Sequence, residues 1–154
     1  MGIIIRPSES PKALIYRSMF EQDGKPQCGR EKSRLGVRPG IDMKSAPDGT
    51  VRPGAKGMSV APSLGAMKDF LIPERLRDSI LEAEGATGDS DLRVWKMGKG
   101  PFLDAPLTRQ LALRVTSPTH GQVEPNAVMP SQVYEDALYS TRDAWEVDEG
   151  GTPL

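Results

Sequence analysis

Leu111-Ala112-Leu113-Arg114-Val115-Thr116 alternates large apolar residues with small or polar ones. That period of two is the signature of a half-buried strand. The single histidine, His120, stands just beyond it, and Val123-Glu124 reads as a short return strand. Gly121 relaxes the backbone between them, and Pro125 has no N–H to donate to a ladder. A hairpin-like pair is expected. Ser131, after Pro130, is a suitable N-cap for a helix over residues 131–147, with Glu135 and Asp136 complementing the positive end of its dipole. Tyr134, Leu138 and Trp145, with Val133 and Ala137, would form its buried face.

Elsewhere, 16 glycines and 14 prolines approach a fifth of the 154 residues. Such punctuation argues against a helix bundle and for short strands joined by long loops. Residues 13–20, ALIYRSMF, predict the first strand, Gly57-Met58-Ser59-Val60 a short extended segment, and the region of Leu92, Val94, Trp95 and Met97 another strand. Short strands are expected near residues 36–41, a turn at Pro47-Asp48-Gly49 and a helix over residues 73–84 opened by Pro73. Arg17 lies inside the first strand. It must face solvent on an edge or be held in a polar cleft, because burial without partners is prohibitive. The expected division is an N-terminal tail at 1–12, one domain at 13–147 and a C-terminal tail at 148–154.

A net charge of −1 gives the whole chain no electrostatic reason to seek nucleic acid. Between Lys25 and Gly57, however, eight basic residues face three acidic ones. This basic loop suits either solvent or a phosphate or acidic partner, but lacks the aromatic residues that stack on bases. Ile3-Ile4-Ile5 is too short for a signal peptide or membrane span, so a soluble product is expected. Cys28 has no second cysteine to pair with and no activating neighbour in sequence. No paired-cysteine or HExxH metal motif, P-loop or GxGxxG is present.

Four islands recur in a shared order: Leu14-Ile15-Tyr16-Arg17-Ser18-Met19-Phe20, Gly57-Met58-Ser59-Val60, Phe70-Leu71-Ile72-Pro73, and Thr119-His120 followed by Val123, Pro125, Tyr134 and Leu138. Their order and spacing resemble those of the NAD-linked cytotoxic effectors of type VI secretion, whose fold is like that of ADP-ribosyltransferase toxins. Two positions depart from that pattern: Met58 stands where the family has a threonine, and Gly121 where it has an aromatic residue. The resemblance implies an α+β fold, with a split antiparallel β-sandwich core of the ADP-ribosyltransferase toxin type and few helices. It also implies NAD in the cleft between the sheets, a cognate immunity protein, an unknown target molecule, and action in the target-cell cytoplasm without a signal peptide.

On that resemblance Tyr16, Arg17, Gly57, Met58 and Ser59 bind NAD, and Arg17, Ser59 and His120 are catalytic candidates. Gly57 would admit either a planar ring or another backbone. His120 also reads as a simple strand-end hydrogen-bonding residue. Glu124 is assigned from chemistry alone: breaking the bond to nicotinamide develops oxocarbenium-like charge, which a nearby carboxylate stabilises. The alternative is a binding module that keeps this fold without the chemistry, suggested by the hydroxyl missing at Met58.

Overall fold

A computed structural model describes residues 11–150. Most of the predicted N-terminal tail and residues 151–154 lie outside that range. Ten strands and one α-helix are present among the described residues. The strands are β1 Ile15–Gln22, β2 Lys25–Pro26, β3 Thr50–Val51, β4 Met58–Val60, β5 Leu92–Met97, β6 Ala105–Pro106, β7 Leu111–Ser117, β8 His120–Pro125, β9 Met129–Pro130 and β10 Glu146–Val147. The helix is α1, Ser131–Tyr139.

Two four-stranded antiparallel sheets carry the fold. One has the order β10-β5-β1-β2 and the other β4-β8-β7-β6, while β3 and β9 make a separate pair. A single bridge links the two sheets, with Tyr16 N–H donating to Ala61 O at 2.7 Å and Ala61 N–H to Tyr16 O at 2.9 Å. Beyond this bridge β1 and β4 part. The architecture is the expected α+β split antiparallel core.

Ile15, Met19, Trp95 and Met97 from the first sheet pack with Met58, Val60, Leu111, Leu113 and Val123 from the second. Tyr134, Leu138 and Trp145 close this main core, each side chain of this size contributing about 1.5–3 kcal/mol on burial. A smaller core lies on the other face of β1 and β5, where Ala61, Leu64, Ile72, Leu76, Ile80 and Val94 assemble.

Three predicted segments, and the roles given to Ser131 and Glu135, differ from what is observed. The helix stops at Tyr139 because the Ser140 hydroxyl donates to Ala137 O and the Thr141 hydroxyl to Leu138 O, ending the ladder at its last turn. Trp145 reaches the core through a separate turn, Arg142–Ala144. Pro130, without a side-chain cap, occupies the N-cap, and the Ser131 amide donates to Gly49 O. Residues 73–84 form 3-10 turns, Glu74–Leu76 and Leu81–Ala83, rather than a helix. Near 36–41 there is a tight turn closed by the Pro39–Met43 bridge, with no ladder. Glu135 is explained not by the helix dipole but by Arg30, whose Nε and Nη2 donate to its buried carboxylate at 2.7 and 2.8 Å.

Asp148 and Glu149, assigned by sequence to a tail, are tied into the fold. Asp148 accepts from the Tyr16 hydroxyl at 2.7 Å and pairs with Lys96 at 3.3 Å. Glu149 accepts from Arg75, Arg93 and the Val94 amide. Burial works to raise both carboxyls, but these donors outweigh it and hold them below their ordinary values of 3.8 and 4.5. A depressed folded value means stability that is present above the unfolded pKa and lost as pH falls through the folded one. Glu149→Gln is therefore expected to lower the melting midpoint by about 4–8 °C at pH 7. Melting curves taken down to about pH 3 should show the two proteins converge.

Candidate functional site

Arg17 alternates with Ile15 and Met19, so its stem points toward the main core, directly opposite Trp95 on β5. A guanidinium there needs acceptors. Nη1 donates to Ser59 O at 2.7 Å, and Nε and Nη2 donate to Arg34 O at 3.1 and 2.8 Å. The side chain fills the gap that opens after the Tyr16–Ala61 bridge and pins β4 to β1 through main-chain oxygen. Of the two sequence readings, the side chain held by polar partners is observed and the solvent-facing edge is not. Burial pushes this guanidinium down to about 10, with Asp42 opposing the shift and Arg38 adding to it. It therefore stays charged at neutral pH.

Strand register separates the remaining candidates. Ser59 pairs with Gln122, which pairs with Arg114 on its other side. Directly opposed residues project from the same face, so these three form a row across β4, β8 and β7. His120 and Glu124, two positions to either side of Gln122, share that face. Met58 opposes Val123 on the reverse face and is buried in the main core. The structure thus brings Ser59, His120 and Glu124 onto one face, while Arg17 touches Ser59 only through its carbonyl. About 13 Å of strand separates His120 from Glu124 at about 3.3 Å per residue.

Gly57 meets a backbone. A Cβ there would stand 2.4 Å from Val123 O, so the close approach is that of β8. The Tyr16 hydroxyl is occupied by Asp148, and burial followed by that bond pushes it up to about 12. Ser59 is partly exposed, and its hydroxyl has no hydrogen-bond partner among the described residues. The imidazole Nδ1 of His120 lies 2.6 Å from the Thr116 hydroxyl. Burial, and then Lys68, hold His120 below its ordinary 6.5, which leaves it neutral at pH 7.

Glu124 is 3 % exposed. Its Oε2 accepts from Arg114 Nε at 2.6 Å and its Oε1 from the Gly54 amide at 2.9 Å, which draws residues 54–55 over this part of the sheet. Arg114 also donates through Nη2 to Gln122 Oε1 at 3.2 Å. In the sequence Arg114 reads only as a polar position of an alternating strand. The signal available was the hairpin itself, which folds an acid at 124 back toward an arginine at 114.

Two antiparallel sheets that part beside a bridged strand pair, with one short helix, make an α+β domain, and the family match that follows places it in the ADP-ribosyltransferase toxin class. The chain matches the Tse2 ADP-ribosyltransferase toxin family over residues 14–149 and belongs to that family. Among curated proteins there is no match. No helix among the described residues is long and apolar enough to cross a membrane.

Proposed function

We propose that this protein is a cytotoxic effector that acts inside target cells as an NAD-dependent ADP-ribosyltransferase. The family supplies the class. The observation that carries the reading is the partnerless Ser59 hydroxyl beside the parting of the sheets, on one face with His120. NAD, when bound, supplies the ADP-ribosyl group and nicotinamide as its leaving group.

Arg17 contributes by holding the Ser59 main chain from behind, so that the hydroxyl is presented in a fixed place to hydrogen-bond a ribose. Tyr16, Gly57 and Met58 contribute as framework for the same strand. Neutral His120 is suited to accept a proton from a ribose or acceptor hydroxyl. Both Glu124 oxygens are engaged, Oε2 by Arg114 and Oε1 by the Gly54 amide, and the residue is buried, so it has no free oxygen for an oxocarbenium-like centre and is assigned a positioning role. Met58 faces the core, and the hydroxyl it lacks would not have stood on the Ser59 face. That favours an active toxin over a binding module. Such a toxin requires a cognate immunity protein in its producer and a target molecule in the recipient.

The test is growth of a host carrying the inducible chain beside Ser59→Ala and His120→Ala at matched soluble expression, with nicotinamide release measured on the purified proteins. Wild type is expected to arrest growth, and each variant to relieve it with release reduced about 100-fold. Equal growth in all three, with no release by wild type, would favour the binding module.

A further inference from the structure

The Ser59 face distributes its donors and acceptors unequally. Every side-chain acceptor in the middle of it is already engaged: Glu124 Oε2 by Arg114, Glu124 Oε1 by the Gly54 amide, and Gln122 Oε1 by Arg114 Nη2. Arginine has no acceptor to offer, so the amide oxygen of Gln122 must be the atom turned toward it and the amide nitrogen the atom turned away. What is left is a set of donors. The Gln122 NH₂ group, Arg114 Nη1 and the Ser59 hydroxyl have no partners among the described residues. All three side chains are partly exposed and lie in one row, at about 4.8 Å per strand. A row of free donors with its acceptors engaged suits an anion about two strands wide.

We infer that Arg114 and Gln122 bind the diphosphate of NAD next to Ser59, and that Glu124 is the positioning residue that aims the Arg114 guanidinium at it. This rests on the NAD reading above. It also divides the labour between two arginines. Arg17 uses Nε, Nη1 and Nη2 on main-chain carbonyls and holds the strand, whereas Arg114 uses Nε and Nη2 within the face and leaves Nη1 to the ligand. It gives Glu124 a reason to be buried, paired with Arg114 and close to the site without touching substrate.

The experiment measures binding of NAD, ADP-ribose and nicotinamide riboside, which lacks the diphosphate, by the full chain made in a cell-free system. Wild type is compared with Arg114→Gln, Arg114→Lys, Gln122→Leu and Glu124→Gln, with melting curves as a check on folding. Arg114→Gln is expected to weaken NAD and ADP-ribose about 10–100-fold while leaving nicotinamide riboside unchanged, with Arg114→Lys intermediate. Gln122→Leu, which leaves the ion pair intact, should weaken the same two ligands several-fold. Glu124→Gln should weaken them through a raised KM in nicotinamide release, with kcat kept.

If wild type binds NAD and both Arg114→Lys and Gln122→Leu bind it equally well, the inference is overturned and the NAD reading survives. If every variant weakens nicotinamide riboside as much as NAD, the residues act on the fold and the inference also fails. Absence of NAD binding by wild type would overturn both readings.

Discussion

Arg17→Ala is expected to abolish growth arrest and to lower the melting midpoint by about 10 °C. The substitution removes three charge-assisted hydrogen bonds and orphans the carbonyls of Arg34 and Ser59 in a half-buried gap. Two such groups left unsatisfied cost about 2–6 kcal/mol. Lysine at this position reaches one carbonyl where the guanidinium reaches two, so Arg17→Lys should fall between wild type and alanine in both measurements. Differential scanning calorimetry beside the growth assay makes the comparison. An Arg17→Ala protein that melts with wild type and still arrests growth would show that β4 is held in place by something else.

The second large effect falls on Gly57→Ala. Its Cβ would lie 2.4 Å from Val123 O and 2.9 Å from Val123 C, and backbone on a paired strand cannot turn aside as a side chain does. Overpacking of this kind costs about 1–3 kcal/mol and displaces the strand that presents Ser59. Gly121→Ala is the control, because its two nearest contacts are the ends of the Leu113 and Phe102 side chains at 2.9 and 3.0 Å, with backbone, Arg114 O, further off at 3.2 Å. Gly57→Ala is expected to lose more stability than Gly121→Ala and to lose toxicity with it. The reverse order would mean that β4 and β8 tolerate a wider spacing.

The strands were legible where side-chain alternation meets a one-sided core. Residues 111–116 and the Tyr16-Arg17 stretch fall within β7 and β1. Element type was harder to read where a local hydroxyl competes with the ladder. Nothing in the apolar spacing of Tyr134, Leu138 and Trp145 reveals that Ser140 and Thr141 will end the helix between them. The charge of the basic segment from Lys25 does not reveal which of its side chains are bonded internally. Lys25 donates to Asp143 O and Trp145 O, Arg30 to Glu135 and Arg38 to Asp42, so part of that charge is internal structure.

Sequence order singles out Arg17, Ser59 and His120 as candidates but does not give their relation. Whether Ser59 and Arg17 present side chains to the same place depends on strand parity across the Tyr16–Ala61 bridge, which only pairing determines. Arg114 stayed hidden for a related reason. Its acid lies ten residues away along the chain and beside it only once the hairpin closes.

Among the described residues the two sheets share one bridged pair, Tyr16 with Ala61, and beyond it no ladder ties β1 to β4. The distance between their edges is held by side chains instead: by the Arg17 guanidinium on Ser59 O, and by the core in which Ile15 and Met19 pack with Met58 and Val60. Where backbone pairing lapses, side chains carry the continuity from one sheet to the next.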